Sequence, residues 1–195
     1  MNDIHAHLTV AAAEAARVAR GVTADQLAQS SVCADWTVRE LVNHLVLYSA
    51  HGLEHRALRQ QLPEETVQRD FTAEPDWAER YAAQLDRALA AWEKPDVWQG
   101  EVDTGYVTMP ATVIASLLVK ELALHGWDLA RSTGQDFTVP EAMGRFLLGV
   151  VEEHAETYRR YEGFAEPLDV PDTAPAFARA LAISGRDPRG QEERR

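Results

Sequence analysis

The chain has 195 residues and a formal net charge of −12, with 46% hydrophobic and 26% charged residues. This composition is typical of a globular protein with a buried core, and the acidic balance argues against a nucleic-acid partner, which requires clustered positive charge. A single cysteine excludes a disulfide framework and multi-cysteine zinc sites, so any metal would need histidine and carboxylate ligands.

Two helices and a loop are predicted in the first part of the chain. Apolar residues recur at helical spacing over about Asp3–Arg20. The stretch TVRE has the form of a capping box, with Thr37 as N-cap and Glu40 at the third helical position. This second helix is predicted to continue to about Gln60. Pro63 and the charged residues that follow it predict a connecting loop.

The rest of the chain is also mainly helical by its pattern. Helices are predicted at about Pro75–Lys94, Pro110–Thr133, Pro140–Tyr161 and Ala174–Ile183. Residues 97–109 alternate loosely and contain two glycines, which predicts a short hairpin or an extended loop. The polar tail 185–195 is expected to be frayed. The pattern predicts an all-α helical bundle over 1–165 and a short C-terminal extension over 166–195 that packs on it.

The predicted helix over 110–133 carries polar groups on an apolar side. Ile114, Leu118, Glu121, His125 and Asp128 follow one another at spacings of three or four residues. An unpaired buried carboxylate is costly, so Glu121 needs a cation, a hydrogen-bond partner or a metal. His125, one turn later, points the same way. The pair fits a metal site and equally fits a partly exposed hydrogen bond between the two side chains.

The second predicted helix offers candidate third ligands. His44, His51 and His55 share a broad face of that helix. His44 lies in the apolar segment ELVNHLVLY, where a histidine satisfied within the core is the alternative. His51 and His55 lie in a more polar stretch that favours solvent exposure. His154, on a later helix, is a further candidate, with a structural or surface histidine as its alternative.

Several neighbouring residues have both a functional and a structural interpretation. Asp128 either orients an imidazole or makes a surface or capping contact. Trp36 and Trp127 either line a pocket or belong to the core. Arg131 either binds an anion or stabilises a helix C-terminus. Cys33 precedes a helix N-terminus, but an inert, partly buried cysteine is the simpler prediction.

Two segments resemble one protein family. CADWTVRELVNHLV, followed about 75 residues later by ELALHGWDLARSTGQ, is similar to the DinB-like helical bundle superfamily. More narrowly, these segments resemble its actinobacterial branch related to mycothiol-dependent maleylpyruvate isomerase, and VPDTAPAFARALAISGRDPRG is similar to the tail of an uncharacterised subfamily. The resemblance implies a DinB-like four-helix bundle, with the hairpin or loop before its metal-binding fourth helix.

The resemblance also implies a site and a cofactor. Carried over by motif, the ligands of a divalent metal are His44, Glu121 and His125. Two imidazoles and one carboxylate leave coordination positions open, which is the pattern of catalytic zinc, and Ni²⁺ is a possible alternative to Zn²⁺. Mycothiol is implied as the thiol cosubstrate, with transfer to, or isomerisation of, a small electrophile as the reaction.

Two other functions remain open: a metal-dependent hydrolase of small molecules, and a non-catalytic, stress-related homodimer that binds metal. Maleylpyruvate isomerases are expected to carry a larger C-terminal domain than the roughly 35 residues that follow the predicted helix ending at Tyr161. That difference argues against the isomerase reaction itself. Without an apolar run of about 20 residues or a signal pattern, the chain is expected to be cytoplasmic and away from membranes.

Overall fold

The computed structural model of the chain describes residues 3–189. The chain divides into two compact units, Met1–Phe137 and Thr138–Arg195. The first contains helices α1 (Asp3–Arg20), α2 (38–57), α3 (Glu64–Val67), α4 (Trp77–Trp92) and α5 (Ala111–Ser132), with strands β1 (Glu101–Asp103) and β2 (Thr108–Pro110) between α4 and α5. The second contains α6 (Glu141–Arg160) and α7 (Ala176–Ile183).

The first unit is built around a four-helix bundle. Helix α1 packs against α4 and α5, and α2 packs against the same two helices, so that the four surround one core. Large side chains such as Tyr81, Trp92, Leu122 and Leu129 are at most 1% exposed. The indole of Trp92 donates a 2.8 Å hydrogen bond to the carbonyl of Leu53, which satisfies a buried donor. The predicted all-α bundle is confirmed.

The start of α2 follows from its sequence. Thr37 is the N-cap, and its side-chain oxygen accepts a hydrogen bond from the Glu40 amide. The Glu40 carboxylate in turn accepts a 2.7 Å hydrogen bond from the Thr37 amide. This reciprocal capping box satisfies two amides that the first turn leaves without helical partners. The predicted helix start is therefore confirmed, and it places His44 near the end of the second turn.

Helix α2 differs from its prediction in two ways. Val38–Leu45 and Gly52–Ala57 are α-helical, but Val46–His51 forms a π-helical turn that joins them. The helix ends at Ala57 instead of about Gln60, because Arg59 adopts a left-handed backbone with φ of 56°. The Arg59 side chain then donates hydrogen bonds to two carbonyl groups just before β1.

The segments that connect the helices also agree with their predictions in most places. The predicted loop after Pro63 contains the short helix α3 and a 3₁₀ turn at Phe71–Ala73. The predicted hairpin is present as the antiparallel pair β1 and β2. Val102 on β1 packs with Ala111 and Ile114 of α5, which ties the hairpin to the start of that helix.

In the second unit, α6 and α7 pack against each other. Both helices begin and end within two residues of their predicted limits. The boundary predicted after residue 165 stays a prediction, and residues 190–195 of the predicted frayed tail lie outside the described residues. Within 3–189, none of the helices combines the length and the apolar character needed to cross a membrane.

Candidate metal centre

Helices α2 and α5 bring three predicted ligands together. Nε2 of His44 lies 2.8 Å from Oε1 of Glu121, and Nε2 of His125 lies 3.4 Å from the same oxygen. Glu121 and His125 are one turn apart on α5, so both side chains face α2. The three side chains are between 15% and 25% exposed, which leaves the cluster sheltered but reachable from solvent.

The Glu121 carboxylate is held in its charged form. Burial would raise its pKa, but the opposing effects of His125, Lys120 and His44 are larger together and lower the pKa well below its usual value. Nζ of Lys120 lies 3.3 Å from Oε2 of Glu121, on the carboxylate oxygen that does not face the histidines. Oε1 is thus an anionic oxygen directed at two imidazole nitrogens.

Asp128 orients the His125 ring by contacting the imidazole nitrogen that does not face Glu121. Its side chain is 2% exposed, and Oδ2 lies 2.9 Å from Nδ1 of His125. A carboxylate on one imidazole nitrogen sets the orientation of the ring and leaves the other nitrogen for a metal. Of the two interpretations left open by the sequence, the structure favours the orienting one. Cys33 donates a 3.3 Å hydrogen bond from Sγ to the same carboxylate oxygen.

Two aromatic rings flank the histidines. The ring centroid of Trp36 lies 4.8 Å from that of His44 and 6.2 Å from that of His125. The Tyr48 ring lies 4.7 Å from His44 and is 42% exposed at the rim of the cluster. Tyr48 is one turn after His44 on α2, but helical spacing alone does not distinguish a rim residue from a core residue.

The donor set suits a divalent metal. His44, Glu121 and His125 each offer one ligand atom, and these atoms lie within 4.8 Å of one another. Two imidazole nitrogens and a carboxylate oxygen are ligands that zinc and several transition metals accept. Cys33, His125 and Asp128 form a second group of the same compactness, and it shares His125 with the first.

The other histidine candidates have different surroundings. His51 stacks on Phe71 at a centroid distance of 5.1 Å, and burial lowers its pKa. Nδ1 of His55 lies 2.8 Å from the His51 carbonyl oxygen, one turn earlier on the same helix. His154 is on α6, in the other unit. Of the three histidine candidates on α2, His44 is therefore the one that lies beside Glu121 and His125 of α5.

Of the remaining candidates, Trp127 is a core residue, and the Arg131 guanidinium lies over its ring. His5, near the start of α1, is a buried histidine that the sequence pattern does not indicate. It is 8% exposed, with its ring packed edge-on against Trp98. Because Trp98 is distant from His5 in the sequence, no local pattern predicts that His5 is buried.

The bundle and its donor cluster define a DinB-like helical protein with a candidate metal centre. The family model described as "Mycothiol maleylpyruvate isomerase N-terminal domain" matches residues 8–130. The chain belongs to this family. The match contains all three candidate ligands and confirms the resemblance that the two sequence segments indicate. No curated protein matches the chain.

Two solved structures share the fold. A crystal structure of the mycothiol-dependent maleylpyruvate isomerase is 20% identical, with a TM-score of 0.59 over 76% of this chain and 68% of that chain. The structure of a histidine-to-alanine mutant of the enzyme so named is 18% identical, with a TM-score of 0.69 over 96% of this chain and 90% of that chain. About a tenth of the second structure's chain lies outside the match, which leaves little room there for the larger C-terminal domain expected in such relatives.

Proposed function

We propose that His44, Glu121 and His125 hold a divalent metal, and that the protein is a mycothiol-dependent transferase or isomerase. The observation that carries this proposal is the convergence of the three donor atoms within 4.8 Å, inside the part of the chain that matches the family model. Zn²⁺ is the preferred ion, with Ni²⁺ as an alternative. The second substrate is a small electrophilic molecule.

The metal would supply a site at which a bound thiol loses its proton near neutral pH and becomes a nucleophile. The protein's own residues prepare this site. Glu121 remains anionic beside Lys120, and Asp128 fixes the orientation of His125. Trp36 and Tyr48 pack against the His44 ring.

An external thiol fits the cysteine content. Cys33 is the only cysteine in the sequence. Its sulfur donates a hydrogen bond to the Asp128 carboxylate, and a neighbouring negative charge disfavours the thiolate form. Cys33 is therefore poorly suited to be the nucleophile, and a low-molecular-weight thiol such as mycothiol would take that role.

Metal analysis tests the site. The purified chain is expected to bind one Zn²⁺ or Ni²⁺ per molecule after dialysis against that metal, as measured by elemental analysis. His44→Ala and Glu121→Gln are expected to lose it, since the first removes a donor nitrogen and the second replaces an anionic oxygen with a neutral amide oxygen. His55→Ala is the matched control, because it removes an imidazole from the same helix outside the cluster. Equal metal content in all four proteins would contradict the site.

Calorimetry with mycothiol tests the reaction class. The metal-loaded protein is expected to bind mycothiol, and the EDTA-treated protein is not. Absence of binding to the metal-loaded protein would instead favour a hydrolase that uses metal-bound water, or a non-catalytic metal-binding dimer. The homodimer and the cytoplasmic location stay predictions.

A further inference from the structure

Lys120 is a buried lysine on the helix that carries two of the proposed metal ligands. It immediately precedes Glu121 on α5, and its side chain is 5% exposed. Nζ of Lys120 lies 3.3 Å from Oε2 of Glu121. Lysine is rarely buried to this extent unless its charge is paired, because an ammonium group loses its hydration on burial. The Glu121 carboxylate supplies such a pairing, so each of the two side chains constrains the other.

The two carboxylate oxygens of Glu121 face different partners. Oε1 lies 2.8 Å from Nε2 of His44 and 3.4 Å from Nε2 of His125, whereas Oε2 faces Lys120. A metal ion held by the two imidazole nitrogens would therefore meet Oε1. The ammonium group competes with such an ion for Oε2, because two cations on one oxygen repel each other. Lys120 thus leaves Oε1 as the oxygen that is available to a metal.

The number of oxygens that Glu121 offers determines what else a metal can bind. A carboxylate binds a metal through one oxygen or through both. With one oxygen, Glu121 and the two histidines would occupy three positions of a tetrahedral zinc site, and the fourth would stay open for an external ligand. With both oxygens, Glu121 would occupy that position as well. An ammonium group on Oε2 favours the first arrangement.

The charge of Lys120 also affects which ligand suits the open position. The carboxylates of Glu121 and Asp128, which both lie beside the His125 ring, together match the charge of a divalent ion. The ammonium group adds one positive charge next to Glu121. A ligand with a single negative charge, such as a thiolate, balances this excess better than a neutral water molecule does.

We propose that Lys120 is a positioning residue that restricts Glu121 to one metal-bound oxygen and so keeps a coordination position open for a thiolate. This inference rests on the proposed function and deepens it, because it names the residue that prepares the thiol-binding position. Lys120 acts through the Glu121 carboxylate and contacts neither the metal nor the thiol.

Infrared spectroscopy tests how Glu121 binds the metal. Difference spectra between the Zn²⁺-loaded and the EDTA-treated full-length chain, labelled with isotopic glutamate, report the two carboxylate stretching bands of Glu121. These bands lie farther apart for binding through one oxygen than for binding through two. A wide separation is expected in the unaltered protein and a narrower one in Lys120→Met, which replaces the ammonium group with an apolar side chain. Lys120→Arg keeps a cation at this position and is expected to retain the wide separation.

A thiol titration tests the open position. The Co²⁺-loaded proteins are titrated with 2-mercaptoethanol, and the thiolate-to-cobalt charge-transfer band is followed in the near ultraviolet. The dissociation constant is expected to rise about tenfold or more in Lys120→Met, because the position is filled and a positive charge is lost. Lys94→Met is the matched control, since Lys94 is the other lysine of the sequence and is exposed. It is expected to bind the thiol as the unaltered protein does.

Zinc affinity separates positioning from a purely structural role. In competition with a chelator, Lys120→Met is expected to bind Zn²⁺ at least as tightly as the unaltered protein, since it gains a carboxylate oxygen and loses a repelling charge. Weaker Zn²⁺ binding in the folded variant would overturn the proposal, because it would show that Lys120 only supports the shape of the site. The infrared bands of the unaltered protein provide a test that needs no variant to fold, and a narrow separation there would also overturn the proposal.

The two proposals fail in different ways. An unaltered chain that binds neither Zn²⁺ nor Co²⁺ contradicts the metal centre and, with it, the role of Lys120. Stoichiometric metal binding with a narrow infrared separation contradicts the role of Lys120 alone. The same holds for stoichiometric metal binding with equal thiol affinity in the unaltered protein and Lys120→Met.

Discussion

The two halves of α2 both carry histidines, but they offer different chemistry. In the first half, His44 meets the Glu121 carboxylate, which α5 supplies 77 positions later in the chain. In the second half, His51 stacks on Phe71, and His55 bonds to a carbonyl of its own helix. The residue type is the same in both places. The neighbouring element therefore decides whether a histidine takes part in a donor cluster or only in packing.

The charged groups around the histidines also differ between the two halves of α2. Around His44 and His125 there are two acidic side chains, Glu121 and Asp128, each within 3.4 Å of an imidazole nitrogen. Burial lowers the pKa of His51 and so favours its neutral form. A cluster that combines imidazole nitrogens with an anionic oxygen attracts a cation, whereas a buried histidine against an aromatic ring contributes mainly apolar contact. Three variants test this contrast.

The largest effect is expected from Asp128→Asn. Because the Asp128 carboxylate holds Nδ1 of His125, its loss loosens the ring and lowers the basicity of the other nitrogen. Metal affinity is expected to fall by about 10- to 100-fold, or about 1.4–2.7 kcal/mol, measured by competition with a chelator. Asp76→Asn is the control, at an exposed carboxylate paired with Arg80. Equal affinity in the folded variant would remove Asp128 from the centre.

Thr37→Ala addresses the start of α2 and is expected to have an intermediate effect. Loss of the capping box is expected to cost about 1 kcal/mol of unfolding free energy, measured by urea denaturation. Hydrogen exchange is expected to increase at the first amides of the helix and to remain unchanged over Gly52–Ala57. Uniformly faster exchange along the whole helix would show that its two halves open together.

The smallest effect is expected from Asp70→Asn, which lies beside the first half of α2. Asp70 accepts hydrogen bonds from Asn43 and Thr72 and pairs with Arg39. Burial raises the Asp70 pKa, but the hydrogen bonds from Thr72 and Asn43 and the charge of Arg39 together outweigh it and lower the pKa. Because the side chain is 45% exposed, its contribution at neutral pH is expected to be below about 1 kcal/mol.

The pH dependence of that contribution follows from the sign of the shift. A pKa that is lower in the folded state adds stability above the unfolded value of about 3.9, and this stability is lost as the pH falls through the folded value. The difference in unfolding free energy between the unaltered protein and Asp70→Asn is therefore expected to shrink below about pH 4. A difference that stays constant across this range would show that the carboxylate charge makes no contribution.

Much of the bundle is predictable because its signals are local. The capping box at Thr37 and the apolar repeat over Asp3–Arg20 each specify a helix from residues that are close in sequence. The π-helical turn at Val46–His51 has no such local signal, and its contacts are with α4 and α5, which are distant in the sequence. The short helix α3 was also missed, since four residues carry too little periodicity to predict it.

The candidate site was predictable only in part. The spacing of Glu121 and His125 indicates a shared side of α5, and the family resemblance selects His44 over His51. The contact between Asp128 and Cys33 joins positions 95 apart, and sequence spacing does not report such a pair.

The π-helical turn also lets α2 tolerate a change in its length. It takes up about one residue more than an α-helix needs, so deleting one residue within Val46–His51 would allow the helix to become regular throughout. The second half of the helix would then keep its orientation relative to the first, because five α-helical residues turn through about the same angle as six π-helical ones. His44 would keep its partners on α5, and the residues after the turn would keep theirs. This segment is therefore the part of α2 where one codon can be lost without turning half of the helix away from its neighbours.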